Sequence, residues 1–191
     1  MKLIFASHNE NKAKEIRSLL PDHIELFTLT DMQLLEEIPE TAETLEGNAL
    51  LKAAYVHERF GLNCFADDTG LEVHALNGAP GVYSARYAGS TKDPEVNMAL
   101  LLKNLANEED RSARFRTSIA LFWNGKKHFF DGIVNGHISK FRSGSDGFGY
   151  DPIFIPENST RTFAEMTIHE KNQQSHRARA LEKMIEFINR T

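Results

Sequence analysis

The apolar positions of the chain change period several times, and each change marks an element. Leu3, Ile4, Phe5 and Ala6 form a continuous apolar run of strand length. After the polar stretch Ser7-His8-Asn9-Glu10-Asn11-Lys12, the spacing of Ile16, Leu19 and Leu20 predicts a helix over residues 13–20, ended by Pro21. An acidic segment, residues 36–46, leads to a second helix reaching about Phe60, with Leu45, Ala49, Ala53 and Val56 at helical spacing and Thr44 as N-cap. Residues 63–66 then read as a short apolar strand that ends in Asp67-Asp68-Thr69-Gly70, with Leu71-Glu72-Val73 beyond.

Further along, Asn77-Gly78-Ala79-Pro80-Gly81 breaks both regular periods and reads as a turn or loop. Asp93-Pro94-Glu95 opens a third helix running through Leu105, with proline at the first helical position. The clearest strand signal is residues 114–123, where Phe115, Thr117, Ile119, Leu121 and Trp123 alternate with a second set. Asn124-Gly125 then supplies a two-residue hairpin turn into a strand over residues 127–134. A glycine-rich loop, residues 143–152, precedes the short strand Ile153-Phe154-Ile155, and a last helix over residues 175–188 is expected to bury Ala178, Leu181, Ile185 and Ile188. Strands and helices mix throughout and the hairpin argues against a purely parallel sheet, so the expectation is a single α/β domain over residues 1–191, with a mixed β-sheet flanked by helices.

Composition narrows the function classes. A chain of 191 residues, 41% hydrophobic, suffices for one sizeable core. A formal net charge of -5 argues against a broad basic surface for duplex nucleic acid, so bound phosphate must meet a local cluster of positive groups. The one cysteine, Cys64, excludes an internal disulfide and a multi-cysteine zinc site, and reads as a small buried hydrophobe. The first apolar run is too short for a secretory signal and no run approaches about 18 apolar residues, so no membrane association and a cytoplasmic home are expected.

Four segments can carry chemistry. The strand-loop-helix around residues 7–12 gathers backbone N–H groups, a helix N-terminus and Lys12, a combination that attracts phosphate. It lacks the glycines and the Gly-Lys-Ser/Thr ending of a P-loop, and alone reads more readily as an ordinary capped helix. Asp67-Asp68, with Glu37, Glu40, Glu43 and Glu46 nearby in sequence, offers oxygen ligands for magnesium, which takes only one or two protein carboxylates, and a base for an attacking water. In Phe148-Gly149-Tyr150-Asp151, the two rings present faces on which a base can stack and Asp151 accepts hydrogen bonds; a plain surface loop is the competing reading. Lys171, His176 and Arg177 supply donors for carbonyl or phosphate oxygens, and basic residues in a first helical turn oppose the helix dipole, which favours a functional reason for them.

Taken in order, Ser7-His8-Asn9-Glu10-Asn11-Lys12, Asp67-Asp68-Thr69-Gly70, Phe148-Gly149-Tyr150-Asp151 and Ser175-His176-Arg177 closely resemble the inosine triphosphate pyrophosphatase family, and residues 78–87 look like its bacterial members. The resemblance implies magnesium-dependent hydrolysis of inosine, deoxyinosine and xanthosine triphosphates to monophosphate and pyrophosphate by a homodimer of two-lobed α/β subunits. Carried over by position, residues Ser7, His8, Asn9, Glu10, Asn11 and Lys12 form the triphosphate segment, Asp68 is the general base, Thr69 contacts substrate, and Glu40 and Asp68 are the metal acids. Phe148, Gly149, Tyr150, Asp151, Lys171, His176 and Arg177 match the purine pocket. There a donor from His176 or Arg177 suits a 6-oxo group and opposes the 6-amino group of adenine. Two positions depart from the pattern: His8 stands where many relatives have glycine, and Gly47 where many have a second acid beside Glu46. A Maf-type nucleotide pyrophosphatase, whose first loop is rich in arginine, and a nucleotide-sensing module without hydrolysis are the competing readings. Lys12 without an arginine pair argues against the first, and Asp67-Asp68 against the second.

Overall fold

A computed structural model describes residues 1–191. The elements follow in the order β1 (Lys2–Phe5), α1 (Glu10–Arg17), β2 (Glu25–Thr28), α2 (Leu45–Phe60), β3 (Cys64–Val73), β4 (Pro80–Gly81), α3 (Pro94–Asn104), β5 (Ser112–Trp123), β6 (Lys126–Ile138), β7 (Phe154–Pro156), α4 (Ile168–Asn172) and α5 (His176–Asn189). The strands pair in the order β2-β1-β3-β5-β6-β7, with β4 on β3. The β1–β2 and β1–β3 pairings are parallel, while β3–β4 and β6–β7 are antiparallel, so the sheet is mixed as expected. No helix is long and apolar enough to cross a membrane.

The chain forms two compact units. The first comprises Met1–Asp68, Thr117–Gly132 and Arg177–Thr191; the second comprises Thr69–Arg116 and Ile133–His176. In the first unit, strand alternation sends Leu3, Phe5, Phe65, Ile119 and Leu121 into a core with Ala13 and Ile16 of α1 and Ala180, Leu181, Met184 and Ile188 of α5. The alternate positions Ile4, Ala6, Cys64, Ala66 and Ala120 pack with Ala49, Ala53 and Val56 of α2 in a second core. The sheet of this unit therefore carries α1 and α5 on one face and α2 on the other. In the second unit, Leu71, Val73, Phe115, Val134 and Ile138 share one core with Met98, Leu101 and Leu105 from α3 and its C-cap, and with Tyr150, Phe154 and Phe163.

Several boundaries differ from the sequence expectation. Helix α1 starts at Glu10 with Asn9 as N-cap, so Glu10, Asn11 and Lys12 form its first turn rather than a loop, and Leu19 and Leu20 lie beyond its end. Strand β2 has no clean alternation and gives little signal in sequence; it exists because β1 offers a parallel edge. Strand β3 does not end at Asp67-Asp68 but continues to Val73, with β5 as a sheet neighbour and Leu71 and Glu72 paired to the short β4. The buried face of α5 is Ala180, Leu181, Met184 and Ile188, with Ala178 and Ile185 only partly covered. The hairpin, the Thr44 cap and the Asp93-Pro94 helix start follow the sequence. At the hairpin turn, Asn124 and Gly125 both have positive φ, 49° and 77°, as a turn matching the twist of its strands requires.

Candidate active site

The adjacent acids of β3 point to opposite faces, because side chains alternate along a strand. Asp67 falls on the side of α1 and α5, where its Oδ1 accepts from Lys12 Nζ at 2.9 Å and its Oδ2 from Arg177 Nε at 3.1 Å. Arg177 also pairs through Nη1 with Glu15, one turn along α1 from Lys12. Asp67, Glu15 and Arg177 are all buried. Burial alone would raise the Asp67 carboxyl, but Lys12, Arg177 and Lys52 outweigh it and hold it well below the usual carboxylate range. Burial, with Lys52 and Arg177 nearby, pulls the Lys12 ammonium below its ordinary value despite Asp67.

Asp68 falls on the α2 side. Its Oδ2 accepts from Asn48 Nδ2 at 3.1 Å, and its Oδ1 lies 3.9 Å from Lys52 Nζ. Lys52 in turn donates to Glu40 Oε1 at 2.5 Å and to the backbone carbonyl of Asp67 at 2.8 Å. Burial raises the Asp68 carboxyl above its ordinary value, with Glu40 adding like-charge repulsion and Lys52 and Lys12 opposing. The two acids thus differ in state: Asp67 is an anchored counter-ion, while the Asp68 carboxyl lies above its ordinary value.

Glu40 and Asp68 meet at one lysine and sense each other's charge, and no third histidine, cysteine or carboxylate joins them into a metal-holding group. Two carboxylate donors with the rest of the shell left to water and phosphate is the set magnesium favours. The residues therefore fit that ion. Glu36 of the same acidic segment accepts from the Tyr55 hydroxyl at 2.6 Å.

In the segment 7–12, Asn9 Oδ1 caps α1 by accepting from Lys12 N at 3.1 Å, and Ser7 Oγ accepts from Asn9 N at 3.2 Å. His8, Asn9, Glu10 and Asn11 are exposed; His8 Nε2 contacts the Glu36 carbonyl at 3.1 Å. The segment is both a capped helix and a cluster of exposed polar groups beside a lysine.

The second unit holds the remaining candidates. Asp151 Oδ2 accepts from Phe148 N at 2.8 Å and from Lys171 Nζ at 2.5 Å, and Lys171 Nζ lies 5.0 Å from the Phe148 ring centre. Gly147 has φ +74°, and a Cβ there would lie 2.2 Å from Asp151 Oδ2, so only glycine lets the loop close on that carboxylate. His176 stacks on Phe115 with ring centres 4.6 Å apart. Gly149 and Thr69 are partly exposed.

Three expected site residues make contacts within the fold. Tyr150 lies in the core and donates its hydroxyl to the Ser84 carbonyl at 2.9 Å, leaving Phe148 as the partly exposed ring of the motif. Asp151 is buried and ties Lys171 to the loop. Arg177, in the first turn of α5, pairs with the Glu15 and Asp67 carboxylates. Sequence reading missed Lys52, Asn48 and Glu15. The signal was present in α2, where Asn48 and Lys52, four apart, alternate with Ala49 and Ala53 on the buried face.

A model of the Ham1 family matches residues 3–187. The chain belongs to the Ham1 family. Among relatives in that family, proteins named dITP/XTP pyrophosphatase from Flavobacterium johnsoniae and Porphyromonas gingivalis are each 53% identical; the first is covered along all of both chains, the second over 98% of this chain and 97% of its own. Solved structures of Ham1 proteins agree in fold. One from Coxiella burnetii has a TM-score of 0.90 at 38% identity with both chains fully covered. One from Staphylococcus aureus has a TM-score of 0.89 at 36% identity, covering 99% of this chain and 98% of the other. The Ham1 match agrees with the resemblance carried by the four motifs.

Proposed function

We propose that this protein hydrolyses the triphosphates of deaminated purines, inosine, deoxyinosine and xanthosine, to nucleoside monophosphate and pyrophosphate. The activity named for its 53% identical, full-length relatives supports the substrate class. The observation that carries the chemistry is the split of the acid pair, which leaves Asp68 with a raised carboxyl beside Lys52, Asn48 and Glu40.

In this mechanism Asp68 takes a proton from a water that attacks the α-phosphorus, and pyrophosphate leaves. Lys12 draws negative charge toward the departing phosphates, with Ser7, His8, Asn9, Glu10 and Asn11 supplying polar contacts along the triphosphate. Lys12 is pre-positioned by Asp67, which Arg177 holds in place while itself paired with Glu15. Glu40 and Asp68 would hold magnesium, which supplies neutralisation of phosphate charge. Lys52 screens these two carboxylates from each other.

On the base side, Phe148 offers the stacking face, with Gly149 and the core-anchored Tyr150 continuing its loop, and Thr69 contacts substrate. Asp151 holds Lys171 beneath that ring. With Arg177 engaged by Asp67 and Glu15, the donor assigned to a 6-oxo group is His176; adenine would present a donor to that donor. A homodimer acting in the cytoplasm completes the proposal, and sedimentation of the purified protein tests the dimer.

Pyrophosphate release from inosine, xanthosine, adenosine and guanosine triphosphates, with magnesium and with chelator, is the direct test. Inosine and xanthosine triphosphates should turn over only with the metal. Equal rates for inosine and adenosine triphosphates would sink the base reading. Asp68→Asn should abolish turnover while binding of nucleotide persists; near-normal rates in that variant would remove Asp68 as base.

A further inference from the structure

Asn48 is fully buried on α2, and both ends of its amide are used. Its Oδ1 accepts from Ala42 N at 2.9 Å and its Nδ2 donates to Asp68 Oδ2 at 3.1 Å. The chemistry of the partners fixes this orientation: a backbone N–H can only donate, and an ionised carboxylate can only accept. A flipped amide would lose both bonds. Next to it, Gly47 brings the same segment against α2, since a Cβ at position 47 would lie 2.5 Å from Ala42 Cβ. Ala42 is two residues from Glu40, whose carboxylate meets Lys52 one turn along α2 from Asn48.

We infer that Asn48 is a positioning residue for the hydrolysis: it pins the Asp68 carboxylate through Oδ2 and locks the Glu40-bearing segment to α2 with the other end of the same amide. A carboxylate turns readily about its terminal torsion, which has no sharp staggered wells. One fixed donor on Oδ2 aims Oδ1 toward Lys52, the side on which Glu40 also lies. No proton or bond changes hands at Asn48; it acts through Asp68. The inference rests on the assignment of Asp68 as general base, and the experiment separates the two.

Asn48→Ala removes both bonds. Asn48→Asp keeps the shape and an acceptor for Ala42 N–H but places an acceptor oxygen against Asp68. Both variants are assayed for kcat and KM with inosine triphosphate and saturating magnesium. Calorimetry with a triphosphate analogue carrying a methylene between the α- and β-phosphorus gives binding, and thermal unfolding confirms the fold. A misaimed base costs on the order of 100-fold in rate. The expected result is a kcat loss of that size in both variants, with KM and analogue affinity within about threefold of the unaltered protein. If Asn48 only ties down Ala42, Asn48→Asp will recover the kcat lost in Asn48→Ala, and that recovery overturns the proposal. Should Asn48→Asp not fold, Asn48→Ala decides alone: a folded variant with unchanged kcat overturns the proposal. An inactive Asp68→Asn alongside active Asn48 variants removes only the positioning role, whereas an active Asp68→Asn removes the base assignment beneath it.

Discussion

Replacing Arg177 with methionine keeps an unbranched side chain of related length and removes a cation that two buried carboxylates share. The Arg177 side chain is 1% exposed, Asp67 is 0% and Glu15 is 6%. Asp67 retains Lys12 at 2.9 Å, but Glu15 loses the ion pair that anchors it. Breaking a buried pair by removing one partner costs about 3–5 kcal/mol, because the other charge stays desolvated. In a chain of this size each kcal/mol shifts Tm by about 2–4 °C, so Arg177→Met should lower Tm by roughly 6–20 °C. Adding Glu15→Gln removes the buried charge that Arg177 had paired and should restore part of the loss, a coupling that a double-mutant cycle by chemical denaturation measures. A Tm within 2 °C of the unaltered protein, with preference for inosine over adenosine triphosphate abolished, would refute the reasoning and return Arg177 to the base.

Other consequences can be checked more simply. Lys52→Met leaves Glu40 and Asp68 without their shared cation; kcat for inosine triphosphate should fall at least tenfold, and the optimum magnesium concentration should shift, both read from pyrophosphate release. Gly147→Ala puts a methyl group 2.2 Å from Asp151 Oδ2 at a residue with φ +74°; KM for inosine triphosphate should rise about tenfold while Lys12-dependent binding of free pyrophosphate stays the same. Burial pushes the Cys64 thiol up to about 12, so a thiol reagent at pH 8 should label the native protein far more slowly than the unfolded chain. Hydrogen bonds from Ser112, with His74 adding to them, hold exposed Asp110 at about 2; an NMR titration should find its carboxylate ionised well below the midpoint of an ordinary aspartate.

Features that arise within a few residues of one another were legible in the amino-acid sequence. The strand period of Leu3 to Ala6, the Thr44 cap with its helix, the Asp93-Pro94 helix start and the Asn124-Gly125 turn each rest on local backbone geometry and on which face is apolar. The four motifs also located the chemistry-bearing segments, because residue types and their order survive in the one-dimensional text. Tertiary structure decided the division of labour among them. Whether Asp67-Asp68 ends a strand depended on the partners β5 and β4, and β3's continuation sends the two acids to opposite faces. Arg177 lies 162 positions from Glu15 and 110 from Asp67, and Asn48 lies 20 from Asp68. No local pattern encodes such pairings: a buried charge takes whatever counter-charge the packed helices bring to it, and only the packed chain determines which one that is.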